Sequence, residues 1–117
     1  MNKVMIVDDD ESLRKTVRRI LESESFEVVE TINYYDCWEK IQKDPPKLIL
    51  LDIMMPGESF NLVQKINSDL KLKSIKIVYI TALGGVKERA VGTGVITTIE
   101  KPFKRKELVA VVKKILK

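Results

Sequence analysis

Five short apolar runs punctuate the chain, and polar stretches with helical periodicity separate them. Residues 3–7 (KVMIV), 26–32 (FEVVETI), 48–51 (LILL), 75–80 (IKIVYI) and 95–99 (VITTI) have the length and composition of strands. Leu48, Ile49, Leu50 and Leu51 are apolar without interruption, which predicts a strand buried on both faces, as at the centre of a parallel sheet. After the first run, Leu13, Val17, Ile20 and Leu21 recur at helical spacing, with Arg14, Lys15, Arg18 and Arg19 on the other side. Asn33 is placed to cap a second helix that turns Cys37, Trp38 and Ile41 inward and ends at Asp44, Pro45 and Pro46. A third helix is predicted over 60–70, with Phe60, Leu62, Val63, Ile66 and Leu70 as its apolar positions. Gly84, Gly85, Gly92 and Gly94 bracket a short fourth helix over 86–91. The last helix carries Leu108, Val111, Val112 and Ile115 on one side. Five strands alternating with five helices predict an α/β fold in which right-handed crossovers put helices on both faces of a parallel sheet.

Composition narrows the chemistry. The 117 residues are predicted to form one domain, 1–117, and 44% hydrophobic content suits an ordinary globule. No stretch reaches the roughly 18 apolar residues of a membrane span, and no secretory signal pattern precedes the first strand, so a cytoplasmic protein without a membrane partner is expected. Cys37 is the only cysteine, which excludes an intramolecular disulfide and predicts a small buried side chain. Histidine is absent, which removes histidine bases, histidine metal ligands and serine–histidine or cysteine–histidine catalysis. Any bound metal must then be held by oxygen, as a hard cation such as magnesium is. The net charge of +4 is unevenly spread, with 5 Lys/Arg against 8 Asp/Glu in residues 1–31 and 16 against 9 in residues 32–117. The basic residues lie in helix-like segments without interleaved aromatics, so solvated helix faces are expected rather than a nucleic-acid surface.

The polar residues that end the strands make one constellation. Asp8 and Asp9 follow the first run, Asp52 the third, Thr81 the fourth and Lys101 the fifth. Strand C-termini of a parallel sheet lie along one edge, where ligands and chemistry collect. Three close carboxylates repel one another unless a cation sits among them, and magnesium accepts a few protein oxygens while keeping several waters. With Lys101 as a second positive charge and Thr81 as a donor, these are the parts for binding and transferring a phosphoryl group, with Asp52 as nucleophile.

The VDDD of residues 7–10, the LDIMMPG of 51–57, the YITA of 79–82 and the EKPF of 100–103 together resemble a response-regulator receiver domain, the phosphoacceptor half of two-component signalling and part of the CheY-like superfamily. The likeness runs from Lys3 to the last helix. It implies a flavodoxin-like, doubly wound five-stranded sheet of order 2-1-3-4-5 with five flanking helices. It also implies that Asp52 accepts a phosphoryl group from a histidine kinase or phosphotransfer protein. Asp9, Asp52 and the backbone carbonyl of Met54 would bind magnesium directly, with Asp8 contacting it through water. Thr81 and Lys101 would bond phosphoryl oxygens, and the Lys101–Pro102 peptide would be cis. Output is expected through contact with a downstream protein target, since no effector segment follows the last helix in this sequence. Nucleic acid is not expected as a partner of this domain alone.

Two features depart from the family pattern. The position three before Lys101, usually aromatic, is Thr98, so the switch is expected to rest on the loop after Thr81. The positions two beyond Asp52 and two beyond Thr81 are Met54 and Leu83, whose side chains cannot orient an attacking water, which predicts slow self-dephosphorylation. The rival readings are a phosphorylation-independent adaptor with this fold and a small-phosphoester hydrolase. The hydrolase reading lacks the general acid that Met54 replaces.

Overall fold

The alternation of apolar runs and amphipathic stretches resolves into nine elements in a computed structural model that describes residues 2–82 and 94–116. In order they are β1 (Lys3–Val7), α1 (Glu11–Ser23), β2 (Glu27–Thr31), α2 (Tyr34–Lys43), β3 (Leu48–Asp52), α3 (Ser59–Ser68), β4 (Lys76–Thr81), β5 (Thr97–Glu100) and α4 (Arg105–Leu116). All four strand pairings are parallel, in the order β2-β1-β3-β4-β5. The flavodoxin-like arrangement expected from the sequence is therefore present, with four helices among the described residues. The short helix expected over 86–91 lies outside them, as does Leu83.

The period of two along each strand divides the core into two layers. Met5, Val7, Ile49, Leu51, Ile77 and Tyr79 face α2 and α3, where they meet Cys37, Ile41, Leu62, Val63 and Ile66. Val4, Ile6, Leu48, Leu50, Val78, Ile80 and Ile99 face the opposite way, against Val17 and Leu21 of α1 and Leu108 and Val112 of α4. All five residues of β3 are buried, so each Leu or Ile there contributes about 2 kcal/mol of apolar transfer. Local capping fixes where the helices begin. The Asp10 carboxylate accepts from the Leu13 N–H at 3.2 Å, and the Asn33 side chain accepts from the Asp36 N–H at 2.7 Å.

Two apolar positions assigned to the inner face of the third helix are exposed instead. Phe60 is 46% exposed because it sits about 110° around the helix from the stripe made by Leu62, Val63 and Ile66. Leu70 is 84% exposed because α3 stops at Ser68 and the backbone turns extended at Asp69. The final strand is also shorter than expected. It pairs only over Thr97–Glu100, and Ile96 is half-exposed although its N–H still reaches the Ile77 carbonyl at 2.9 Å.

Candidate functional site

Each strand that carries a candidate residue delivers it to the same edge of the sheet. Asp8 is the first residue beyond β1, Asp52 ends β3, Thr81 ends β4, and Lys101 follows β5 directly. Carboxylate oxygens of Asp8, Asp9 and Asp52 lie within 4.8 Å of one another. Asp8 and Asp52 are buried and Asp9 is exposed, so the cluster has a dry floor and one wet wall.

Lys101 closes the fourth side. Its ammonium donates to Asp8 Oδ2 at 2.9 Å and lies 3.6 Å from Asp52 Oδ2. Burial alone would lower the lysine pKa, but the hydrogen bond and charge of Asp8, with the charge of Asp52 added, hold it above the ordinary lysine value. Asp52 is shifted upward: burial is the largest cause, the charges of Asp8 and Asp9 act in the same direction, and the Met54 N–H and Lys101 oppose them. A carboxylate in this state is short of positive charge. Thr81 is buried at the end of β4, and its carbonyl accepts the Lys101 N–H at 2.8 Å, which ties the lysine to the β4 end. The Lys101–Pro102 peptide is cis, as the resemblance implied.

The turn after β3 is fixed by the site itself. Asp52 Oδ1 accepts from the Met54 N–H at 2.9 Å, and Gly57 takes φ +105°, which a residue with a Cβ adopts only with strain. The Met54 side chain is 54% exposed. Thr98 is half-buried, and its register partner across the β4–β5 ladder is the buried aromatic Tyr79. Cys37 lies in the core, and burial pushes its thiol up to about 12, which is the behaviour of a packing residue.

Three further residues touch this region that the pattern of strand ends does not reveal. Arg14 donates from Nη1 to the Asp8 carbonyl at 2.8 Å and from Nε to Glu30 Oε1 at 3.1 Å. Glu30, at the end of β2, also accepts from Arg18 Nη1 at 2.7 Å and has the Lys15 ammonium 3.6 Å away. Arg14 and Glu30 are 11% and 12% exposed, while Arg18 and Lys15 are 42% and 57% exposed, so the ion cluster runs from behind the main chain of Asp8 out to solvent. The Tyr34 hydroxyl donates to the Asp52 carbonyl at 2.8 Å. The only advance signal for these contacts was a basic helix face opposite an acid-bearing strand and a tyrosine at a helix start.

The donor set suits a hard divalent cation. Three carboxylates converge at ligand spacing, all offering oxygen, and burial, reinforced by the charges of Asp8 and Asp9, raises the pKa of Asp52. Asp8, Asp9 and Asp52 are the side chains that could hold the cation.

The profile of the response regulator receiver domain family matches residues 4–113 of the chain. Response regulator Rre1 of Synechocystis is 34% identical over 97% of this chain and 51% of its own length. The phosphate regulon transcriptional regulatory protein PhoB of Escherichia coli is 33% identical over 98% of this chain and 52% of its own. The chain thus spans about half the length of these relatives. Among solved structures, chemotaxis response regulator CheY4 of Vibrio cholerae superposes with a TM-score of 0.91 at 26% identity, covering 99% of both chains. A response regulator from Thermotoga maritima gives 0.90 at 25% identity, covering 99% of this chain and 98% of its own.

Proposed function

Because the chain belongs to the response regulator receiver domain family, we propose that Asp52 is its phosphoacceptor and that residues 1–117 act as one receiver unit. The observation that supports this most strongly is the convergence of Asp8, Asp9 and Asp52 around a single lysine at the C-terminal edge of the sheet. An Asp52 carboxylate oxygen attacks the phosphorus of a phosphohistidine on a histidine kinase or phosphotransfer protein. The P–N bond breaks, its electron pair leaves with the imidazole, and Asp52 becomes a mixed carboxylic–phosphoric anhydride. Lys101 offsets charge on the incoming phosphoryl oxygens, and the Thr81 hydroxyl donates to one of them. Asp9, Asp52 and the Met54 carbonyl would hold magnesium directly and Asp8 would contact it through water; once bound, the ion would neutralise the crowded acids and the phosphoryl group.

The chain's own catalysis is confined to taking up this group and losing it slowly, because Met54 offers no side-chain hydrogen bond to a water at the phosphorus. The anhydride shifts the population between two surface states, and a downstream protein target reads the difference. The exchange is assigned to the cytoplasm, as is typical of response regulators. Among the described residues no helix is long and apolar enough to cross a membrane. The test is incubation with phosphoramidate and magnesium followed by intact mass. One phosphoryl adduct on the wild type and none on Asp52→Asn is the expected result; an adduct on both, or on neither, rejects Asp52 as the acceptor.

A further inference from the structure

Tyr34 occupies a place that the strand order makes unusual. It opens α2, directly after β2, yet its hydroxyl bonds the carbonyl of Asp52 on β3 at 2.8 Å. In the sheet β1 lies between those two strands, so the side chain reaches over the C-terminal end of β1, where Asp8 and Asp9 emerge. Asp9 and Tyr34 accordingly line the same cavity of about 510 Å³, together with Met55, Pro56 and Gly57. On the β1 side the β3 ladder ends at the pair Val7 and Leu51, and the next carbonyl, that of Asp52, is taken by the tyrosine.

The ring does a second job. A Cβ built on Gly57 would lie 3.1 Å from Tyr34 Cδ2 and 3.6 Å from Cε2, so the ring edge rests against the Gly57 backbone. Residues 53–57 are therefore held between a hydroxyl bond at one end and ring contact at the other. Asp52 is fixed both through its carboxylate, by the Met54 N–H, and through its main chain, by Tyr34.

We propose that Tyr34 is a positioning residue for the acidic site: it sets the orientation of Asp52 and of the 53–57 turn, and through them the magnesium affinity and the rate of phosphoryl uptake. This rests on the phosphoacceptor reading of Asp52. A group that orients a metal ligand typically costs 10–100-fold in affinity or activity when removed, and a single neutral hydrogen bond belongs at the low end, so about tenfold is expected. Removing the hydroxyl also leaves the Asp52 carbonyl without that partner, while the ring keeps its contact with Gly57.

The experiment compares wild type, Tyr34→Phe and Ile41→Val. The last thins the core under α2 by one methylene and leaves the hydroxyl in place, so it controls for loss of stability alone. Magnesium affinity is measured by calorimetry without any phosphodonor, and the second-order rate with acetyl phosphate is followed by intact mass. Tyr34→Phe should weaken magnesium binding and slow uptake by about tenfold each, with Ile41→Val near wild type in both. Wild-type values in Tyr34→Phe, or equal losses in Ile41→Val at matched thermal stability, would overturn the inference. A wild type that takes no phosphoryl group defeats the phosphoacceptor reading, and the magnesium comparison then decides the positioning role by itself.

Discussion

Lys101 and Asp8, 93 positions apart in the chain, meet as an ion pair at 2.9 Å on the edge of the sheet. The aspartate side chain is almost fully buried and the lysine is a quarter exposed, so the pair sits at the boundary between core and solvent. Removing one partner of such a pair leaves a buried charge unmatched. Lys101→Met should therefore lose about 3 kcal/mol of stability in a chelator at neutral pH, and saturating magnesium should restore part of it. Urea denaturation with and without magnesium checks this. Equal midpoints for the variant and the wild type in chelator would show that Asp8 does not depend on the lysine.

Asp52→Asn should act in the opposite direction. The folded-state pKa of Asp52 is raised, chiefly by burial and then by Asp8 and Asp9, so the ionised form carries an energetic penalty in the folded protein. For an acid shifted upward, the penalty is absent below the unfolded pKa and grows as pH rises through the folded one. The asparagine variant should melt a few degrees above the wild type at neutral pH without magnesium, and the gap should close in acid. A thermal scan across pH measures it, and a variant less stable at neutral pH would contradict the account.

Glu30 gives the converse pH dependence. Burial raises its pKa, but hydrogen bonds from Arg18 and Arg14 and the charge of Lys15 more than reverse this, leaving it below the ordinary glutamate value. Its contribution is complete above the ordinary glutamate pKa, and it is lost as pH falls through the depressed folded value. Glu30→Gln should cost about 2 kcal/mol at neutral pH. Urea midpoints of the two proteins should converge in acid, as pH falls through that depressed value. A difference that is the same at both pH values would show that shape, and not charge, holds this cluster together.

On the proposed phosphoacceptor role of Asp52, Met54 bears on the lifetime of the anhydride. The half-exposed Met54 donates its N–H to the Asp52 carboxylate, and its thioether cannot hold a water by hydrogen bonding. Met54→Asn places an amide there and should speed dephosphorylation in magnesium by about tenfold. Decay of the intact-mass adduct after removal of the phosphodonor gives both rates, and a wild type that decays as fast as the variant would reject the role given to Met54.

The parts of this protein that were legible in its sequence are those fixed by main-chain topology. Unbroken apolar runs located the strands, alternation with helices made the sheet parallel, and parallel strands must end on one edge. Asp8, Asp9, Asp52 and Lys101 therefore came together from one-dimensional information. What stayed hidden depends on where long side chains reach. Tyr34 crosses from the β2 side to β3, and Arg14 turns back from α1 to the Asp8 carbonyl; neither contact has a sequence period. Phe60 and Leu70 show the limit of apolar spacing, since the first lies off the inward stripe and the second lies beyond the helix end.

The most direct measurement on the central claim is reductive trapping. Protein treated with acetyl phosphate and magnesium is reduced with borohydride, which converts an aspartyl phosphate to homoserine, and the peptides are mapped by mass spectrometry. Homoserine at position 52, formed only when phosphodonor is present, is the predicted result. Homoserine at Asp8 or Asp9 instead, or an unmodified Asp52 under conditions where magnesium binding is demonstrated, would contradict it.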